Sequence, residues 1–188
     1  MTLPVLIALV VVVAALGLFV FRAIPGIRAY FNLRGQRLII CPESHTNEAV
    51  NVAAGEAAMG AFLSEPTLRL RECSRWPERQ SCGQECLQQI ETDPANCLVW
   101  NIVAKWYEGK VCVFCRKPIA PLQHIDHVPA LLGPDQVTAE WKQFRAQDLP
   151  HVLETHRPVC WNCHVTESFR RLHPELVTNR EPEARRIH

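Results

Sequence analysis

The sequence lacks a surplus of charge of either sign. Its 188 residues carry 20 Lys and Arg against 19 Asp and Glu, which gives a formal net charge of +1. Proteins that bind nucleic acid through its phosphates need a strong positive field. The balance therefore argues against bulk nucleic acid as a partner of the whole chain.

Charged and strongly polar side chains are also missing from residues 3 to 21, which read LPVLIALVVVVAALGLFVF. As a helix with a rise of about 1.5 Å per residue, this run covers most of the roughly 30 Å hydrocarbon core of a bilayer. A cleaved signal peptide is the alternative, but the sequence has no basic segment before Leu3 and no small-x-small site after Phe21. The sequence therefore predicts a transmembrane helix within residues 1 to 22, with the lipid bilayer as its partner.

Positive charge is absent before this helix and frequent after it. Lys and Arg accumulate on the cytoplasmic side of single membrane spans. The pattern predicts a single-pass membrane protein with its amino terminus outside and its carboxy-terminal domain in the cytoplasm. Residues 23 to 37 are expected to form a juxtamembrane connector, and the flanking arginines are Arg22, Arg28, Arg34 and Arg37.

Cysteine is abundant, with nine residues, and its spacing favours metal binding. In a reducing cytoplasm a high cysteine density indicates metal ligation and not disulfides. Two CxxC pairs, Cys112 with Cys115 and Cys160 with Cys163, can each present two thiolates to one tetrahedral ion. The stretch between the pairs is longer than the roughly 15 to 20 residues of the usual pattern. We expect these four cysteines to share one Zn²⁺.

A second cysteine group lies nearer the amino terminus. It contains two isolated cysteines and one CxxxC pair, namely Cys41, Cys73, Cys82 and Cys86. A second four-thiolate zinc site is a possible arrangement, so the chain is expected to hold one or two Zn²⁺ ions. Cys97 is then left over as a small buried hydrophobe.

Short apolar and alternating runs in residues 38 to 72 predict strands, and EAAMGAF between them is either a helical turn or part of a strand. Short helices are expected near Gln84–Glu91, after Asp93 as far as Gly109, and from Cys163 to Leu172. Trp100 and Trp106 are expected in the core. The sequence predicts an α+β fold with two cysteine-containing subdomains, residues 38 to 110 and 111 to 177, and a polar tail over 178 to 188.

The segment Cys160-Trp161-Asn162-Cys163-His164 also fits the attachment sequence of a c-type haem. In this interpretation the two cysteines form thioethers and His164 is the proximal ligand, so the chain would be a membrane-anchored monohaem cytochrome. Three observations argue against it: the cytoplasmic location, the other CxxC pair (Cys112 with Cys115), which a haem leaves unexplained, and the scarcity of methionine beyond Met59.

Between residues 111 and 173, the first CxxC pair is followed by Ile125-Asp126-His127-Val128-Pro129 and then by the second CxxC pair, with His164 at the start of a helix. In this order of motifs, the segment resembles the CxxC-bearing HNH endonucleases. The resemblance implies a treble-clef fold with a structural zinc on the four cysteines. It also implies a catalytic divalent ion on Asp126 and His164, with His127 as the general base that activates water.

The sequence departs from the HNH pattern in its middle asparagine, which has no counterpart between Thr155 and Val159. A membrane anchor and a near-zero net charge are also unusual for an enzyme that cuts DNA. We therefore favour a non-enzymatic role, as a zinc-binding accessory or assembly subunit that docks on a protein partner in a larger membrane complex. The nuclease is the alternative, with nucleic acid as a partner only in that case, and the cytochrome is the second alternative.

Overall fold

The computed structural model describes residues 3–63, 67–79, 81–122 and 128–176. It divides the chain into two compact units, Met1–Ile102 and Val103–His188. Helices and short antiparallel strands occur in both units, so the predicted α+β fold class is confirmed. The boundaries proposed for the membrane, connector and tail segments stay predictions, and the polar tail lies outside the described residues.

The first unit starts with helix α1, Leu3–Leu33. Within the described ranges, it is the one helix that is long and apolar enough to cross a membrane, a property that membrane anchors share with signal sequences. Although Pro25 has no N–H to donate, the helix continues through it for two more turns. Residues 23 to 33, expected in the connector, are therefore helical.

A second helix, α2 (Ala54–Leu63), packs against α1. The rings of Phe19 and Phe62 meet edge to face with their centroids 6.2 Å apart. Gly26 is the buried residue of α1, and a Cβ atom at this position would lie 2.8 Å from the carbonyl oxygen of Ala58. The close approach of the two helices therefore depends on the absence of a side chain at Gly26.

Three strands form the sheet of the first unit, β1 (Gln36–Ile40), β2 (Asn47–Val52) and β3 (Leu70–Cys73). They pair antiparallel in the order β1-β2-β3. The short helix α3, Leu87–Thr92, places Ile90 in the core of this unit. Its other fully buried members are Ile39, Cys41, Val50, Val52, Leu70 and Cys86.

Arg37 differs from the other arginines that follow the apolar helix. Its side chain is fully buried, and its guanidinium donates to the carbonyl oxygens of Asn32 and Pro94. Burial lowers the pKa of Arg37. Arg37 therefore holds the end of α1 to the turn that precedes the helix at Val99. Its buried charge is not available to lipid headgroups, whereas Arg22, Arg28 and Arg34 are exposed.

Helix α4, Val99–Tyr107, starts in the first unit and ends in the second. Gly109 follows it with a φ of +70°, as expected for a glycine that terminates a helix. Residues 94 to 97 form a turn in which the side chain of Asp93 accepts from the N–H of Asn96, so the helix begins later than predicted. The buried stripe is Val99, Val103 and Tyr107; Trp100 and Trp106 are only half-buried, and their assignment to the core was wrong.

The second unit contains strands β4 (Ala130–Leu132), β5 (Thr138–Glu140) and β6 (Arg157–Val159), which pair antiparallel in the order β5-β4-β6. Helix α5 spans Leu149–Thr155, and helix α6 spans Trp161–Leu172. Among the described residues of this unit there are also three short 3-10 helices, at Trp141–Gln143, Ala146–Asp148 and Pro174–Leu176. Along this unit the order is the cysteine-bearing turn, the β4–β5 hairpin and helix α6, which begins between the two cysteines of the second pair.

We expect Gly26→Ala to loosen α2 from α1, because the new methyl group would meet a backbone atom that cannot rotate away. Overpacking of this kind costs about 1–3 kcal/mol. Amide hydrogen exchange across residues 54 to 63 of the detergent-solubilised chain should accelerate roughly tenfold or more. Gly17→Ala on the same helix is the matched control, since a Cβ there has nothing within 4 Å. Equal exchange in the two variants would contradict the close packing at Gly26.

Candidate metal centre

The first CxxC pair lies on a tight turn between Val111 and Pro118, which form an antiparallel bridge. The N–H of Arg116 donates to the carbonyl oxygen of Cys112 at 2.9 Å, and the N–H of Cys112 donates to that of Lys117 at 2.9 Å. These bonds turn the chain so that Cys112 and Cys115 are on one side. Arg116 has a φ of +62°, in the left-handed region that favours glycine.

The second CxxC pair lies where β6 passes into α6. Cys160 has extended backbone angles and immediately precedes the helix, while Cys163 is in the first turn. The N–H of His164 donates to the carbonyl oxygen of Cys160 at 3.0 Å. The first pair is tied to this strand, because the N–H of Val113 donates to the carbonyl oxygen of Pro158 at 3.0 Å.

The structure brings the four sulfurs of these pairs together. The ligand atoms of Cys112, Cys115, Cys160 and Cys163 all lie within 4.8 Å of one another, and the Cys115 and Cys160 sulfurs are 3.7 Å apart. Zn–S bonds of about 2.3 Å in a tetrahedron put the sulfurs about 3.8 Å apart. The donor set and its spacing are thus consistent with a metal ion such as zinc.

Crowding of the four thiols has an electrostatic cost that a cation would relieve. Burial opposes ionisation of Cys112, but the backbone N–H groups of Cys115, Cys160 and Phe114 point at its sulfur and lower its pKa to about 6. Burial raises the pKa of Cys160, and burial and the neighbouring sulfurs raise that of Cys163. The site thus stabilises the thiolate of Cys112, whereas ionisation of further cysteines needs a positive ion nearby.

Packing fixes the cysteine cluster on its inner side. Cys112 is fully buried among Ala130, Leu132 and Val159, whereas Cys115 is exposed. The hydroxyl of Tyr107 donates to the carbonyl oxygen of Ala130 at 2.9 Å inside this core. Burial raises the pKa of Tyr107, so the phenol stays a neutral donor. The composition of the sequence gives no signal for this supporting bond.

His164 faces strand β5. Its Nδ1 is 2.9 Å from the hydroxyl oxygen of Thr138 and 3.5 Å from that of Ser168. The imidazole is half-buried, and burial lowers its pKa. In the described part of the chain, the compact group of metal-ligating side chains contains the four cysteines without His164. Asp126 and His127, the other two residues of the HNH hypothesis, lie outside the described residues.

The four cysteines of the amino-terminal group line one cavity of about 190 Å³. Their sulfurs are less close than those of the second unit, since the compact group found among the described residues contains only the carboxy-terminal four. A hydrogen bond from the Ser44 side chain is the main cause that lowers the pKa of Cys41, to about 7. Burial, with the charges of the other three thiols, raises the pKa of Cys86 to about 11.

Cys97 is separate from both groups. Its thiol donates to the carbonyl oxygen of Gln89 at 3.7 Å, and its side chain packs against the core of the first unit. The side chain is half-buried. These contacts suit a small hydrophobic residue.

Comparison with models of known protein families, with curated proteins and with solved structures gives no significant match.

We expect Arg116→Gly to stabilise the second unit by about 1 kcal/mol, because glycine adopts a positive φ without the steric cost that a Cβ atom imposes. Lys117→Gly is the control: this neighbouring residue is also exposed but has no positive φ, so glycine there should destabilise the turn by about 0.5–1 kcal/mol. Urea unfolding of the full chain measures both changes. A loss of stability in both variants would contradict the left-handed conformation of Arg116.

Proposed function

We propose that the chain is a membrane-anchored zinc protein whose carboxy-terminal unit acts as an accessory or assembly subunit of a larger membrane complex. The observation that carries this proposal is the grouping of the Cys112, Cys115, Cys160 and Cys163 sulfurs within 4.8 Å. A zinc ion with four thiolate ligands has no open coordination position for a substrate. The chemistry of the site therefore supports a structural role.

Helix α6 explains why the second unit needs such a site. None of its twelve residues, all of them in the described part of the chain, is fully buried. A helix with no buried side chain gains little from the hydrophobic effect. Zinc on the four cysteines would supply folding free energy and fix the start of α6 to the Cys112 turn. It would leave the rest of the helix exposed to a partner, including Val165, Phe169 and Leu172.

The membrane anchor is helix α1. Its most apolar window has a mean hydropathy of 3.0, and no residue of that window is buried. Arg22, Arg28 and Arg34 are exposed at its carboxy-terminal end. Their charge favours the cytoplasmic side, so we propose an external amino terminus and cytoplasmic cysteine sites. A reducing cytoplasm also keeps the thiols available for metal.

The cytochrome alternative competes for the same atoms. Covalent haem attachment would take the Cys160 and Cys163 sulfurs into thioether bonds. Both sulfurs belong to the compact group with Cys112 and Cys115, which supports a shared ion over a haem.

Metal content tests the proposed site. We expect Cys115→Ala to lose one equivalent of zinc per chain relative to the unmodified protein, because three thiolates hold the ion far less tightly. Hydrogen exchange in α6 should become faster in the same variant. Cys115 is exposed, so its truncation leaves no cavity in the core. Cys97→Ala should keep the full zinc content, and elemental analysis measures both; an unchanged content in Cys115→Ala would contradict the site.

Cellular fractionation tests the anchor and the accessory role. We expect a tag at the carboxy terminus to resist external protease in intact cells, because the proposed orientation places it in the cytoplasm. After extraction in a mild detergent, the 21.4 kDa chain should migrate within a larger assembly. Gly26→Ala and Gly17→Ala keep the apolar run of α1, so both serve as controls that should remain anchored in the membrane. A tag cleaved from outside would overturn the orientation, and a chain that migrates alone would overturn the accessory role.

The HNH-like nuclease is a second candidate, favoured by the position of His164 on α6 against the hairpin strand β5. The full chain is incubated with supercoiled plasmid and Mg²⁺ or Mn²⁺. The accessory role predicts no nicking. Nicking that His127→Ala abolishes and Cys97→Ala preserves would establish the nuclease and contradict a purely structural role.

A further inference from the structure

We infer that the first unit contains a second metal site, in which Cys41, Cys73, Cys82 and Cys86 are the ligands of one zinc ion. This inference goes beyond the proposed function, because it concerns the other unit of the chain and needs no contribution from the carboxy-terminal cysteines.

The fold brings these cysteines to one place from three separate segments. Cys41 follows strand β1 directly, and Cys73 is the last residue of β3. Cys82 and Cys86 lie in the turn before α3, four residues apart. All four line the same cavity of about 190 Å³. Segments far apart in the sequence thus converge on one thiol-lined space, which is what a four-ligand site requires.

Polar donors approach two of the four sulfurs. The Nη1 group of Arg75 is 3.3 Å from the Cys41 sulfur, and the backbone N–H of Gln84 donates to the Cys82 sulfur at 3.4 Å. Donors aimed at sulfur stabilise its ionised form, which is the form that binds metals. If these cysteines were only small hydrophobes, a guanidinium and an amide directed at them would have no such purpose.

Ion pairs hold the donor Arg75 in position. Its Nη1 also contacts a carboxylate oxygen of Glu43 at 2.9 Å, and Arg79 contacts the other oxygen of Glu43 at 3.0 Å. The turn after Cys41 is thereby linked to the turn after Cys73. The cavity is bounded on its inner side by Ile39 and Leu70, which belong to the core of the unit.

The segment from Ser74 to Asp93 has little regular secondary structure. Among its described residues, the regular secondary structure is the six-residue helix α3. Its buried side chains are Cys86 and Ile90. A zinc ion would tie this segment to both outer strands of the sheet, and the binding free energy would add to the stability of the unit.

The four sulfurs are less close to one another than those of the carboxy-terminal group. Binding therefore draws them inward, and the cavity leaves them the room to move. The ligands lie on turns and strand ends, where small backbone shifts are least costly. We expect metal binding to protect residues 81 to 86 from hydrogen exchange more than it protects the strands of the sheet.

Zinc stoichiometry in five full-length proteins tests the second site. We expect two zinc ions per chain in the unmodified protein, one in Cys82→Ala, one in Cys115→Ala and none in the double variant. Cys97→Ala should retain two. Zinc lost only through Cys115→Ala, with one ion in the unmodified chain, overturns this inference and leaves the proposed function intact. Zinc lost only through Cys82→Ala does the reverse.

A rescue variant separates lost ligands from lost folding. Histidine also binds zinc, so Cys82→His should restore the ion that Cys82→Ala loses. Cobalt substitution of the unmodified chain gives an independent readout, since each four-thiolate site adds sulfur-to-cobalt charge-transfer absorption. Two equivalents of cobalt with all-thiolate spectra support the second site. One equivalent, or disulfides among the four cysteines in the protein purified from cells, overturns it.

Discussion

Crowding of four sulfurs in a small volume is the constraint on which the second unit depends. Thiolates repel one another, and burial of Cys112 adds a cost of desolvation. The backbone meets part of this cost with N–H groups of the turn and of the helix start. Strand β6, which pairs with β4, leads into the second cysteine pair and accepts a hydrogen bond from Val113 of the first pair. The hydroxyl of Tyr107 donates to the carbonyl oxygen of Ala130 and so holds β4. A cation at the centre would turn the repulsion into the main attraction of the unit.

The two cysteine groups represent different degrees of organisation. In the carboxy-terminal group, tight turns position the sulfurs at a spacing that matches a tetrahedron. In the amino-terminal group, side chains and ion pairs position the sulfurs around a wider space. Zinc binding at the carboxy-terminal group would need little rearrangement. Zinc binding at the amino-terminal group would include the ordering of a turn-rich segment. Their affinities and exchange rates should differ for that reason.

Much of the fold follows from local sequence signals. The apolar run of α1, the alternating residues of β1 and β2 and the glycine after α4 each act on their own segment, so the sequence predicts them well. The two CxxC pairs are also informative, because a short motif restricts where its sulfurs can point. The four sulfurs meet although the stretch between the two pairs is longer than usual.

Other features could not be predicted because they depend on distant partners. Arg37 looks like a juxtamembrane charge, yet its burial depends on carbonyl groups of Asn32 and Pro94. Trp100 and Trp106 look like core residues, but the smaller Val99 and Val103 occupy the buried stripe. Arg116 occupies a position suited to glycine, so its turn conformation has no signal in residue type. Pro25 suggests a helix end, but α1 continues through it toward its contact with α2.

The length of α1 has a mechanical consequence. Its 31 residues span about 46 Å as a helix, against roughly 30 Å of hydrocarbon, so its final turns would project beyond the acyl chains if the helix spanned a bilayer. The sheet of the first unit starts three residues after the helix ends, and Arg37 holds that junction. In a bilayer, the sheet of the first unit would be joined to the membrane span by a rigid helix and not by a flexible linker. Any tilt of the span would therefore also tilt the thiol-lined cavity.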